Sequence, residues 1–278
     1  VPRVKAALAR QGLTIRVILP IEDVGQLADW VTLPDGERPL IIAAGGDGTV
    51  GTVANYLAGT GAVMGILPLG TSNDVARSLA IPMNLERAAA LLRTGRVTGV
   101  EAGLVRFETG ERRYFVHAAA AGLNATFSRM AGRASLRRRL GRLSYLVSAV
   151  VAWRSRHPFT CTLVLPHREV TLRLLHLSVI NAPVFGGILN LRLNGSAFGD
   201  RRLDVLAIEA NSPFRLLSAM AALLLWRAPR VGGVHLYHVP SLTIRVDEPL
   251  PLSLDGELAG SLPCSITPAI GALNVVTP

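Results

Sequence analysis

The apolar positions of this chain change their rhythm about a third of the way along. Up to about Thr94 they recur in two alternating ways, as short continuous runs and as helical stripes. The spacing predicts helices over Pro2–Gln11, Val24–Val31, Val50–Ala58, Val75–Ala80 and Asn84–Thr94. Between them, strands are predicted at Thr14–Leu19, Leu40–Ala44 and Ala62–Leu69. Such alternation implies a parallel sheet with helices on both faces. After about Val97 the pattern turns to strands separated by Gly, Pro and Asp. They are read at Thr160–Leu165, Glu169–Ile180, Arg202–Glu209, Leu242–Val246 and Leu250–Leu254. Two helices interrupt this half. One carries Leu136, Leu140, Leu143, Val147 and Val150 on one face, and Leu216–Trp226 is the other. Eleven apolar residues in the latter, between Arg215 and Arg227, fall short of the roughly 20 a bilayer span needs. The expectation is therefore a buried or membrane-surface helix.

Two strand ends carry the candidate chemistry. Leu40–Ala44 runs into Gly45-Gly46-Asp47-Gly48-Thr49, and Ala62–Leu69 runs into Gly70-Thr71-Ser72-Asn73-Asp74. Each turn opens onto a helix. Glycine lets backbone approach a ligand closely, and free N–H groups at a helix start attract anions. Neighbouring parallel strands would bring both turns to one sheet edge, where open α/β sheets bind ligands. Each turn adds an aspartate. Beside a polyphosphate, such a carboxylate needs a divalent metal or a substrate hydroxyl to relieve repulsion. A tight structural turn is the plain alternative. Gly46 to Gly51 also spells G-x-G-x-x-G, but no acid ends the next strand to receive a ribose, as a dinucleotide site requires. No G-x-x-x-x-G-K-[ST], H-E-x-x-H or G-x-S-x-G occurs. Lys5 is the only lysine, so a side-chain phosphate clamp must use arginine, with Arg77 a candidate.

Bulk composition narrows the classes further. The chain has 278 residues, 50% hydrophobic and 17% charged, enough for one large or two ordinary domains. Cys161 and Cys264 form no disulfide framework, and the six histidines show no metal spacing. The net charge is +10, with arginines clustered at Arg129, Arg133, Arg137–Arg139 and Arg142. Aromatics are 5% and no nucleic-acid motif appears, so nucleic acid is not an expected partner. An anionic membrane surface is. No signal-peptide pattern opens the chain, and a cytoplasmic protein, peripheral at the inner membrane face, is expected, with a homodimer among the assemblies this allows.

The Gly-Gly-Asp-Gly-Thr turn followed by Leu67-Pro68-Leu69-Gly70-Thr71-Ser72-Asn73-Asp74-Val75-Ala76-Arg77 resembles the diacylglycerol kinase catalytic domain, in the bacterial lipid kinase branch related to sphingosine kinases. Leu254-Asp255-Gly256-Glu257 matches a third element of that family, and Val179-Ile180-Asn181, Gly186-Gly187 and Leu203-Asp204-Val205 match more weakly. In order and spacing these cover Pro39 to Glu257.

The resemblance implies an N-terminal Rossmann-like α/β nucleotide domain over 1–98, joined by 270–278, and a β-sandwich-like lipid domain over 99–269. It implies an ATP- and Mg²⁺-dependent kinase acting on a lipid hydroxyl, diacylglycerol-like. Gly45, Gly46, Asp47, Gly48, Thr49, Gly70, Thr71, Ser72, Asn73 and Asp74 would line the nucleotide. Thr49 would cap its helix or touch phosphate. Asp255 would be the general base, supported by Glu257. Alone, Asp255-Gly256 reads first as a hairpin turn. Asp47 and Asp200 are the metal candidates, although Arg201 stands where the family's Asp-Gly-x-Leu-Asp has glycine. The family opens with a strand ending in Asn-Pro-x-Ser-Gly, and this chain starts at Val1, after that element. A catalytically silent lipid- or nucleotide-binding protein on this scaffold, and an NAD kinase-like enzyme, are the alternatives.

Overall fold

The fold was derived from a computed structural model, which describes residues 1–34, 37–122, 158–185, 191–192, 198–210 and 233–278. The arginine-rich helix expected around Leu136–Val150, the helix at Leu216–Trp226 and Gly186-Gly187 lie outside these residues.

The chain begins with helix α1 (Pro2–Arg10), a 3-10 turn (Ile21–Gln26) and α2 (Leu27–Val31). Strand β1 (Ile41–Gly45), α3 (Asp47–Leu57), β2 (Val63–Pro68), α4 (Asp74–Ser78) and α5 (Leu85–Thr94) follow. β1 and β2 pair in parallel from Ile41↔Met64 to Gly45↔Pro68. Their carboxyl ends therefore lie side by side, as the alternating pattern requires. α5 starts where it does because the Asn84 side chain accepts N–H bonds from Glu86 and Arg87.

One expected strand does not form. Residues 13–20 have no strand structure, and Ile15, Val17 and Ile18 are exposed. β-Branched residues favour extended backbone, but a strand exists only when a neighbour completes its hydrogen bonds. β1, the sheet edge among the described residues, pairs with β2 alone. The expected helix Val24–Val31 also divides, with its first residues in the 3-10 turn.

The rest is β-rich. Strands β3 (Arg96–Phe107), β4 (Arg112–Phe115), β5 (Ala118–Gly122), β6 (Phe159–Leu165) and β7 (Arg168–Ile180) precede a short pair, β8 (Val184–Phe185) and β9 (Leu191–Arg192). Then come β10 (Leu203–Glu209), β11 (Val234–Val239), β12 (Leu242–Val246), β13 (Leu250–Leu254), β14 (Glu257–Leu262) and β15 (Cys264–Thr277). Strand pairing is continuous through eleven of these together with β1 and β2, while β8 and β9 pair only with each other. The spacing missed β3, β4, β5, β8, β9, β11, β14 and β15. In β3 six consecutive residues from Val100 to Val105 are buried, so no polar face alternates.

Two apolar cores result. One packs α3, α5 and β2 around Leu57, Met64 and Leu67. The other fills the β-rich half around Phe115, Leu163 and Leu177. β15 joins them: its start pairs with β12, its end runs parallel to β2 through Asn274↔Val63 and Val275↔Met64, and β3 lies along most of its length.

Candidate active site

The first turn is shorter than its sequence suggests. α3 starts at Asp47, with extended Gly46 at its N-cap position, so Asp47, Gly48 and Thr49 form the first helical turn. Their N–H groups have no partner four residues back, while Val50 N–H bonds Gly46 O at 3.0 Å. Thr49 lies inside the helix and makes no cap; its side chain folds back over Gly45. A Cβ built on Gly45 would fall 2.4 Å from Thr49 Oγ1.

The second turn lies against the first. A Cβ on Gly70 would fall 2.4 Å from Gly46 Cα, so neither glycine can carry a side chain without driving the turns apart. Leu69 N–H extends the ladder to Gly45 O at 2.9 Å. Asn73 adopts a left-handed conformation (φ 51°), and its carboxamide accepts from Gly70 N–H and donates to Gly70 O, both at 2.9 Å. Its visible work is to close the turn. Asp47 Oδ1 accepts the N–H of Val75 at 3.0 Å, tying the head of α3 to that of α4. Thr71 is exposed and Ser72 half-buried; Ser72 O receives Arg77 Nε at 2.9 Å. A cavity of about 620 Å³ opens here, lined by Arg3, Leu69, Thr71, Arg77, Met83 and Leu85 among others.

The third element meets the same place from the other half. Asp255 (φ 50°) and Gly256 (φ 95°) form a two-residue turn joining β13 to β14 through the pair Leu254↔Glu257. So the hairpin reading of Asp-Gly holds for the backbone. The Asp255 side chain does something further: it is 8% exposed and accepts N–H bonds from Val116 at 2.9 Å, His117 at 2.8 Å and Ala118 at 3.0 Å. Burial pushes its pKa up, and the three N–H donors and the His117 charge only partly oppose this, leaving it above the usual aspartate value. Helix α3 presses on it directly. A Cβ on Gly51 would fall 2.3 Å from Asp255 Oδ2, and one on Gly48 3.9 Å from Glu257 Oε1. Glu257 is exposed beside the head of α3.

His117 escaped the sequence reading. It follows β4 at the head of β5, and its Nε2 lies 3.4 Å from Asp74 Oδ2. Asp74 itself is 2% exposed. Burial disfavours the charged ring, yet the Asp74 contact and the charges of Asp255, Asp74 and Asp47 outweigh it and raise the His117 pKa. A histidine between Phe115-Val116 and four consecutive alanines was the available signal. Asn181 was matched only as part of a weak motif. It is buried and donates to Glu101 O and Val116 O, holding the end of β7 on this site.

Asp200 stands apart from this cluster. Its Oδ1 accepts Arg202 N–H at 2.9 Å, and the His238 ring reaches Asp204 Oδ1 at 2.8 Å and Asp200 Oδ2 at 3.9 Å. An imidazole thus bridges the two acids, a poor fit for a resident divalent cation. Among the described residues no group of three His, Cys, Asp or Glu side chains is disposed to hold a metal ion.

Comparison with known proteins agrees with this geometry. Residues 1–105 match the diacylglycerol kinase catalytic domain. Residues 117–277 match the YegS C-terminal NAD kinase beta sandwich-like domain. A diacylglycerol kinase of Mycobacterium tuberculosis is 28% identical over 241 residues, covering 86% of this chain and 76% of that protein. One of Bacillus subtilis is 28% identical over 248 residues, covering 87% and 78%. The fold superposes on a crystal structure of a putative diacylglycerol kinase from Bacillus anthracis with a TM-score of 0.72 at 21% identity, over 94% of this chain and 84% of that one. With more than half its length in the second family domain and the glycine turns and Asp-Gly-Glu hairpin assembled in one place, the chain belongs to the diacylglycerol kinase and YegS family of lipid kinases.

Proposed function

We propose that this protein transfers the γ-phosphoryl group of ATP to the hydroxyl of a diacylglycerol-like lipid. The observation that carries the reading is a convergence. Glycines far apart in the chain have no room for a Cβ where the two turns and the Asp255 hairpin touch. That builds a backbone-lined cradle at a helix N-terminus, which suits a polyphosphate. The names of the two relatives support diacylglycerol as acceptor class.

Each part has work to do. The first N–H groups of α3 would receive phosphate oxygens. Arg77, tethered to Ser72 O through Nε, would turn its remaining N–H groups toward the cavity beside Gly70 and Thr71. Asn73 would hold that wall by fixing Gly70. Magnesium ions in kinase sites are commonly held by one or two carboxylates together with substrate phosphates. Asp47, with Oδ2 beyond its bond to Val75, and exposed Glu257 fit that requirement. Bound there, Mg²⁺ would neutralise phosphate charge. Asp255 would accept the lipid hydroxyl proton through the lone pair its backbone bonds leave on Oδ2. Its raised pKa brings it toward the operating range of a general base.

The deciding experiment is a γ-phosphate transfer assay with radiolabelled ATP, Mg²⁺ and mixed micelles of diacylglycerol or a sphingoid base, with NAD as a further acceptor. Label on diacylglycerol, reduced at least about 100-fold in Asp255→Asn, is expected. Label on NAD would give the NAD kinase-like alternative. No label on any acceptor would give the silent binding protein.

A further inference from the structure

We propose that His117 is a further catalytic residue of this site, the side-chain donor that meets the oxygens of the phosphoryl group in transit. The proposal rests on the kinase reading above. Its first support is position. The group transferred must cross from the glycine turns to Asp255, and His117 spans that gap. Its backbone N–H is bonded to Asp255 Oδ1, and its ring tip reaches Asp74 at the second turn. The second is rigidity. His117 O accepts N–H bonds from Asn181 at 3.0 Å and Ala182 at 3.3 Å, so the residue is held on both sides of its backbone. The third is an unfilled donor. Nε2 is buried and makes no well-formed hydrogen bond in this structure, its nearest acid being Asp74 Oδ2 at 3.4 Å. A buried donor held only by this long contact gains from an acceptor placed closer, which a ligand oxygen would supply.

Charge accounting points the same way. Carboxylates from three elements face the ring: Asp47 from α3, Asp74 from α4 and Asp255 from the β13–β14 hairpin. A phosphoryl group entering among them adds negative charge, which has to be met by preorganised donors. The chain's single lysine is Lys5, in α1, and Arg77 is bound through Nε to Ser72 O in the second turn. Among the described residues, His117 is the side-chain donor set among these three carboxylates. Nε2–H is present in the imidazolium and in the Nε2–H tautomer of the neutral ring, and donating from either requires no proton to move.

The test uses the full chain and three variants, His117→Ala, His117→Gln and His117→Asn. Expected is a fall in kcat of about 100-fold in His117→Ala, as for loss of a transition-state donor. KM for nucleotide should change less than about threefold, and the melting temperature should fall through loss of the ring's contact with Asp74 while the main-chain bonds to Asp255, Asn181 and Ala182 remain. Glutamine carries a donor near the Nε2 position and should restore part of kcat; asparagine, too short to reach it, should not. A kcat within twofold of wild type in His117→Ala would overturn the proposal. So would a loss that follows melting temperature equally in all three variants. A readout without turnover is the ¹⁵N shift of His117 Nε2 on adding Mg²⁺ and a non-hydrolysable ATP analogue. A shift in a wild-type protein that labels no lipid would sink the lipid-kinase reading and keep the phosphate contact. No shift in an active protein would sink the contact and keep the reading.

Discussion

Gly51 and Gly70 show how single atoms set this site. A methyl at residue 51 would overlap Asp255 Cβ and Oδ2 at 2.3 Å, and neither the buried Asp255, held by three backbone bonds, nor the helix can retreat cheaply. Gly51→Ala should destabilise the protein by about 1–3 kcal/mol, the usual cost of overpacking, read by urea denaturation. Activity should fall further than stability, because the displaced atom is the proposed base. His117 and His176 give the pH dependence. The His117 pKa is raised in the fold, so its stabilisation is complete below about 6.5 and is lost as pH rises through its higher folded value. Burial lowers His176 to about 4, so its contribution is complete above about 6.5 and is lost as pH falls toward 4. Stability should therefore peak near the ordinary histidine value of about 6.5, and His117→Gln should flatten the alkaline limb alone. Melting temperatures between pH 4 and 9 at constant ionic strength would check this.

At the scale of elements, the helices that the spacing located are those with local signals. α5 has its asparagine cap, and Asn84→Ala should cost about 1 kcal/mol in a denaturant titration, with kinase activity at saturating substrate unchanged. α3 and α4 were legible from glycine-rich starts, although each begins earlier than its apolar stripe, at Asp47 and Asp74. The glycine demand was also local and so was visible in the sequence. β5 was not. Ala118-Ala119-Ala120-Ala121-Gly122 has the composition of a helix, yet it is a strand because β7 pairs one edge and β13 the other. Thr14–Leu19 is the converse: a good strand sequence whose neighbour is missing among the described residues. Ladder hydrogen bonds come from elsewhere in the chain, and neither composition nor period reports whether they will be there.

Across the whole molecule, β15 makes one body of two cores by pairing with strands of both. No described helix is long and apolar enough to cross a membrane. With a net charge of +10, the protein should sediment with vesicles containing anionic lipid, and that binding should weaken steeply between 50 and 500 mM salt. Equal binding to neutral vesicles would remove charge from the account. What the amino-acid sequence determined by itself was the α/β first half, the two glycine turns, the Asp-Gly hairpin and the overall charge. All of these follow from interactions within a few residues or from a sum over the chain. Only tertiary structure decided that Gly51 abuts Asp255, that Asp255 is buried under three backbone donors, and that His117 stands among three carboxylates. Those contacts join residues more than forty positions apart, and they exist only because the sheets bring their loops to one edge.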